Sequence, residues 1–166
     1  MNEVDLSNVL QRLSALEAEK NILRTLYQYG HCIDYGDRTG WLDCFTADAV
    51  FELKYQQANG PVPRTHGEGE TTDKGIRYSG RDALKSFVET HTSAPQMWHK
   101  HLLIEPCISL ANDGRSASVT SYFLRVDDRS GERIIMAFGR YIDSLVLEAD
   151  GRWRFKHRTA EIESVL

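Results

Sequence analysis

The amino-acid sequence predicts an α+β fold, with helices in the first half packed on one face of a curved antiparallel sheet built mainly by the second half. Three observations carry this. Leu6, Val9, Leu10, Leu13, Leu16, Leu23, Leu26, Tyr27 and Ile33 recur at three- and four-residue steps, the period of an amphipathic helix. From Met97 onward, alternating segments at about 97–111, 115–128, 132–149 and 152–164 are separated by Asn112-Asp113-Gly114-Arg115, Asp128-Arg129-Ser130-Gly131-Glu132 and Ala149-Asp150-Gly151-Arg152. Glycine-containing turns between alternating runs mark consecutive antiparallel hairpins. Helices first and a meander after them share one core, with room for a pocket between the sheet's concave face and the helices.

Taken in chain order, the first helix runs from about Leu6 to Tyr35, with Asp5 or Ser7 as N-cap. Its pattern weakens over Ala18–Asn21, which predicts a break into a leading helix and a main one. The leading part either projects as an oligomer contact or folds back on its own domain. Asp37-Arg38-Thr39-Gly40 forms a turn, residues 40–45 a short helix, and residues 49–55 the first strand. Residues 56–79 are rich in Gly, Pro, Thr and charge, so they read as a long loop: a functional lid, or a segment disordered in its middle. Ser79 then opens a second long helix that carries Ala83, Leu84, Phe87 and Val88 on one face.

In the third long β segment Ile134, Met136, Phe138, Arg140 and Ile142 alternate with Ile135, Ala137, Gly139 and Tyr141. Both faces are apolar, which predicts a central strand covered on two sides, with a neighbouring subunit on the outer one. In the last segment Trp153, Phe155 and His157 share one face and Arg154, Lys156 and Arg158 the other, which reads as a solvated row. Arg158, late in that strand, is a candidate for orienting an anionic substrate.

Composition narrows the function classes. At 166 residues and 18.9 kDa the chain fits a single domain over 1–166 with a substantial core. A net charge of −4, a pI near 5.9 and no cluster of Lys and Arg argue against nucleic-acid binding. No apolar run approaches the ~20 residues of a membrane span, and the N-terminus lacks a signal peptide's basic start and apolar core, so a cytoplasmic location is expected. Cys32, Cys44 and Cys107 have no zinc-ligand spacing and suggest no disulfide framework; buried free thiols are expected. No dinucleotide or phosphate-binding fingerprint is present, and His66 in the long loop has no patterned ligand partner, so no cofactor and no metal are expected.

The residues that point to chemistry are a carboxylate and two imidazoles. Leu23, Tyr27, Gly30 and Asp34 lie on one helical stripe, so Asp34 projects where the period asks for a core residue, a costly place for an unpartnered charge. His99 and His101 occupy alternate positions of Trp98-His99-Lys100-His101 at the head of a strand. An inward carboxylate paired with an inward imidazole is the minimum equipment for acid–base work in a pocket; the alternative is a pair that ties helix to sheet. His99 either lines the cavity mouth or is exposed near the strand's start, and His31, three residues before Asp34, is a competing partner for it.

These pieces, in their order, resemble the SnoaL-like families of the nuclear transport factor 2-like superfamily, which fold as a cone. The resemblance is carried by LYQYGHCIDYGDRTGWLDCFTADAVFE, YSGRDALKSFV, HKHLLIEPCISLANDGRSASVTSYF and DGRWRFKHR, and spans nearly the whole chain. Within the superfamily the sequence is similar to scytalone dehydratase, bile-acid 7α-dehydratase and hexachlorocyclohexane dehydrochlorinase, which use an aspartate–histidine dyad, some with a tyrosine that polarises a substrate oxygen. The resemblance implies that Asp34 and His101 form the dyad and that Tyr29 is the tyrosine, with Tyr27 and Tyr35 as other candidates. Scytalone dehydratase has a tyrosine immediately before its aspartate where this chain has Ile33, and its second catalytic histidine has no clear match here, so its substrate does not transfer.

The expectation is therefore a cofactor-independent lyase or isomerase, dehydratase-like, acting on a hydrophobic cyclic or polyketide-like molecule, in a homodimer or trimer. Trp41, Phe51, Phe87, Trp98, Tyr122 and Phe138 are candidates for the pocket wall. The alternatives are a non-catalytic small-molecule-binding protein of the same fold and a partner resembling the β subunit of a ring-hydroxylating dioxygenase.

Overall fold

The computed structural model describes residues 3–56 and 67–163. Its elements are helices α1 (Glu3–Tyr35), α2 (Arg38–Asp43) and α3 (Gly80–Thr90), and strands β1 (Phe45–Tyr55), β2 (Glu70–Thr72), β3 (Gly75–Ser79), β4 (His99–Leu110), β5 (Ser116–Arg129), β6 (Glu132–Leu147) and β7 (Trp153–Ile162). No helix among the described residues is long and apolar enough to cross a membrane.

The first helix is continuous for 33 residues, with no break at Ala18–Asn21. Its leading turns leave Leu6, Val9, Leu10, Leu13 and Leu16 exposed; Ala18 is the first to pack against the core and Ile22 the first to be fully buried. The face it buries is Ile22, Leu26, Tyr29 and Ile33, one position away from the stripe read in the sequence. Gly36, at φ 75°, stops the helix in the left-handed region that glycine adopts without strain, and the Asp37 amide returns to the Cys32 carbonyl at 2.9 Å. Asp37 then caps α2, its Oδ1 accepting from the Gly40 amide at 2.8 Å.

The sheet order is β2-β3-β1-β7-β6-β5-β4. Every pair is antiparallel except β1–β7, which is parallel, so the sheet is mixed where the sequence suggested antiparallel pairing throughout. The long loop expected over 56–79 contains two strands, β2 and β3, too short to read against the surrounding Gly and Thr. Its residues 57–66, His66 among them and with them the expected disorder, lie outside the described residues.

Three one-residue bulges in the β4–β7 meander decide which of its side chains face inward. The ladder slips between Ile104 and Cys107 on β4, between Arg125 and Val126 on β5, where Met136 is the extra residue, and between Ser144 and Leu145 on β6, where Lys156 of β7 is. An extra residue reverses the in–out alternation beyond it. This is why Phe155 and Arg158 both point inward, and why Arg158 is fully buried rather than part of a solvated row. The core beneath is aromatic: Trp41 lies 4.6 Å from Phe45 and 5.7 Å from Tyr29, ring centre to ring centre. Cys32 and Cys44 are buried free thiols, while Cys107, just past the β4 bulge, is exposed against expectation.

Candidate active site

Asp34 sits in the last turn of α1 and His101 near the start of β4, brought together by a close helix–strand approach. Gly30 makes that approach possible, since a Cβ there would lie 3.1 Å from the His101 carbonyl oxygen. Asp34 is buried and its Oδ1 lies 2.6 Å from His101 Nδ1. The His101 amide also donates to the same carboxylate, at 3.1 Å to Oδ2 and 3.3 Å to Oδ1. A carboxylate only accepts, so Nδ1 carries the proton and Nε2 keeps its lone pair.

Around the pair the structure gathers polar groups absent from the sequence-level picture. His99 is sealed in packing, with Nε2 3.6 Å from Asp34 Oδ1 and no hydrogen bond at either ring nitrogen. Burial, then the neighbouring His101 and Arg125, bring its pKa down to about 4. His91, just past α3, completes a cluster of three imidazoles, its ring 5.3 Å from His99 and 5.8 Å from His101. Burial, followed by His101 and Arg125, lowers His91 to about 3, so it is neutral at physiological pH. On β5, Arg125 stands opposite His101 and Asp127 opposite His99. Arg125 donates to the fully buried Asp127 at 2.9 and 3.3 Å.

His101 borders two hollows. The inner one, about 130 Å³, lies between helices and sheet; Tyr29, Phe51, Phe87, Phe123 and Tyr141 wall it, and His91, His101 and Arg125 supply its polar groups. The outer one, about 250 Å³, is a groove between α1 and β4 lined by Tyr27, His31, Asp34 and Lys100. The inner hollow has the apolar walls and few converging polar groups of a small-molecule site.

The residues singled out in the sequence therefore divide. Asp34 and His101 are in contact, and Tyr29, Phe51 and Phe87 line the inner cavity. Tyr29 is there because the helix's inner face runs through it rather than through Tyr27, which is exposed in the outer groove. His99 is a sealed residue behind Asp34, neither at a cavity mouth nor exposed. Trp41 is a core residue behind Tyr29 rather than a wall. Trp98, Tyr122 and Phe138 lie on the outside, because their strand neighbours His99, Ser121, Phe123 and Ala137 take the inward positions. Trp98 packs edge-on against Tyr35 there. Arg158 is inside but behind the cavity wall, its guanidinium over the rings of Tyr29 and Tyr141. His31 lies exposed in the outer groove, and the carboxylate for which it is a competing partner by sequence is engaged by His101.

His91, Arg125 and Tyr141 escaped the sequence reading. His91 closes a helix instead of lying in a patterned strand, and Arg125 becomes recognisable only once the β4–β5 register sets it against His101. The expectation of no metal meets one candidate arrangement among the described residues: single donor atoms of Asp34, His99 and His101 lie within 4.8 Å of one another. That is a two-histidine, one-carboxylate set, in which a cation would have to displace the 2.6 Å hydrogen bond. Cys32 is not an activated nucleophile, since burial and then Asp37 push its thiol up to about 11.

Helices on an open seven-stranded mixed sheet, with a cavity between them, give the chain the fold class of nuclear transport factor 2-like proteins with a cystatin-like fold. Within that class the chain belongs to the SnoaL-like domain family, whose model matches residues 14–159. Among solved structures, a nuclear transport factor 2-like protein with a cystatin-like fold from Novosphingobium aromaticivorans is 17% identical over 97% of this chain and 92% of its own, with a TM-score of 0.76. A proposed scytalone dehydratase from the same organism is 23% identical over 91% of this chain and 87% of its own, with a TM-score of 0.65. The β subunit of a proposed aromatic-ring-hydroxylating dioxygenase, also from that organism, is 21% identical over 92% of this chain and 93% of its own, with a TM-score of 0.72. At such identities the likeness is one of fold. No curated protein matches the chain.

Proposed function

We propose that the protein is a cofactor-independent lyase or isomerase, dehydratase-like, acting on a hydrophobic cyclic or polyketide-like molecule, with His101 as general base. The observation that carries this reading is the 2.6 Å Asp34–His101 contact beside an aromatic-walled cavity. Asp34 fixes the tautomer and stabilises the imidazolium; Nε2 of His101 removes a carbon-bound proton next to a substrate carbonyl. The Tyr29 hydroxyl donates to the carbonyl oxygen as negative charge builds there. In a dehydration the electron pair left by the proton forms the new double bond, the C–O bond breaks, and the departing hydroxide takes the proton back from His101 and leaves as water, restoring the neutral imidazole. Isomerisation returns the proton to a different carbon.

Proton abstraction can be tested before the natural substrate is known. In deuterated water the protein should exchange the proton next to the carbonyl of bound cyclic β-hydroxy ketones. His101→Ala should slow exchange about 10²–10⁴-fold, the usual contribution of a general base. Asp34→Asn should also be impaired; unchanged rates in both variants would refute the proposal. A second reading, a partner subunit, draws on the match to the dioxygenase β subunit over nearly the full length of both chains. Its mark would be an α subunit that co-purifies from the native host, with no exchange activity in the isolated chain. A homodimer or trimer in the cytoplasm remains part of the proposal, supported by the exposed leucines of α1 and the exposed apolar outer residues Tyr122, Phe138 and Ile142.

A further inference from the structure

The most unusual buried group outside the Asp34–His101 pair is the side chain of Arg158. It is fully buried, none of its guanidinium nitrogens has a hydrogen-bond partner, and its charge is met by Asp143, whose Oδ1 lies 3.6 Å from Nε. Instead of acceptors, it faces aromatic rings: its guanidinium carbon is 3.7 Å from the centre of Tyr141, 4.1 Å from Tyr29 and 4.4 Å from Phe155. Two of those residues, Tyr29 and Tyr141, also line the inner cavity, which Arg158 does not. A buried ion pair used merely as core filler is commonly no more stabilising than apolar residues of the same volume, so this placement invites a reason other than stability.

We propose that Arg158 is a positioning residue acting through Tyr29 and Tyr141: stacked behind their rings, its charge makes their hydroxyls stronger donors toward an oxygen of the bound substrate, and Asp143 limits how much of that charge the rings feel. The inference rests on the reading of the inner cavity as a site for an oxygen-bearing small molecule. A cation over an aromatic face stabilises electron density in the ring, and a phenolate carries more of it than a phenol. Burial pushes both hydroxyls up, Tyr141 to about 12, and Arg158 opposes the rise in each case while Asp143 adds to it. Tyr141 also raises Tyr29 while Trp41 lowers it, and on Tyr141 the remaining ionised groups are Asp34, which raises it, and Arg125, which lowers it. Arg158 therefore needs no contact with substrate to influence the atoms that make it.

The test reads the phenols directly. 3,5-Difluorotyrosine placed at position 29 or 141 lowers the phenol's pKa into a range where the protein stays folded, and its fluorine resonance reports ionisation as pH is raised. Arg158→Met should move the midpoint up by one pH unit or more, a tenfold gain in proton affinity. Asp143→Asn should move it down, and Arg158→Lys, which keeps the charge, should shift it less than Arg158→Met. A midpoint that Asp143→Asn leaves in place overturns the inference, whether or not Arg158→Met folds. So does a lowered melting temperature in Arg158→Met with unchanged midpoints, which would make Arg158 purely structural. No substrate or turnover enters the measurement, so its failure is distinct from that of the lyase or isomerase reading, which shows itself in the His101→Ala exchange rate.

Discussion

Acidification should destabilise the protein by an amount that specific buried groups determine. His91 and His99 are held to about 3 and about 4, against an ordinary 6.5, by burial first and then by their neighbours His101 and Arg125. Asp143 moves the other way, pushed by burial from 3.8 up to about 7 despite the opposing charge of Arg158. Between pH 5 and 6 the unfolded chain therefore holds a proton on each of the two histidines that the folded chain lacks. The folded chain holds one on Asp143 that the unfolded chain lacks. Depressed histidines contribute stability that is lost as pH falls below 6.5; a raised carboxyl contributes stability that is lost as pH rises through 7. The net is one proton more on the unfolded chain, so these groups make stability rise with pH by about 1.4 kcal/mol per unit in this window. His99→Gln should cancel that slope, and Asp143→Asn should double it to about 2.7 kcal/mol per unit. Urea unfolding at pH 5 and pH 6 measures it, and comparing variants with the parent chain cancels every other titrating group. Equal slopes in all three proteins, or a flatter one in Asp143→Asn, would refute the assignment of charge states.

Other perturbations have equally direct outcomes. Trp41→Ala removes a fully buried ring from the aromatic core and should cost about 3–5 kcal/mol, read by denaturant unfolding. Gly30→Val, whose branched side chain cannot fit where even a Cβ lies 3.1 Å from the His101 carbonyl, should destabilise by about 1–3 kcal/mol. It should also erase the downfield proton resonance expected of the short His101–Asp34 hydrogen bond, whereas Gly30→Ala should shift that resonance and leave it present. Leu10→Glu with Leu13→Glu, both on the exposed leading turns of α1, should lower the mass measured by light scattering while leaving the unfolding midpoint of the core little changed.

The fold was readable because its signals are long. The meander strands run 10 to 16 residues with turn residues between them, and α1 repeats its apolar step over many turns. What escaped was short or relational. β2 has three residues and β3 five, less than one period of evidence against a Gly- and Thr-rich background. The parallel β1–β7 pair joins segments about a hundred residues apart, and nothing local records direction. Asp34 and His101 were legible as an inward carboxylate and an inward imidazole, but the sorting of the wall residues was not. It depends on bulges, each of one residue, and Lys156 alone decides whether Arg158 is solvated or buried. Tyr29 shows the corresponding uncertainty on a helix, where a one-residue rotation of the buried stripe exchanges it with Tyr27.

The distribution of polar groups in the interior bears on why such an arrangement persists. Buried polar atoms normally find hydrogen-bond partners, and each one left without costs about 1–3 kcal/mol. Here both ring nitrogens of His99, both oxygens of Asp143, the guanidinium nitrogens of Arg158 and the Ser121 hydroxyl lack partners. They are not scattered. His99 lies behind Asp34, while Arg158 and Asp143 lie behind Tyr29 and Tyr141, with Ser121 paired across the ladder with Tyr141. A core chosen for stability alone would fill these places with leucine or phenylalanine, as other positions of the cavity wall do with Phe51 and Phe87. Departures from the packing rule that gather behind the groups facing one cavity are expected where those groups must be held in a set orientation and charge state. Replacing His99 with leucine separates the two demands: stability at pH 7 should rise or hold, while deuterium exchange driven by His101 should fall. A variant that gains stability and keeps its full exchange rate would reduce His99 to an accident of packing.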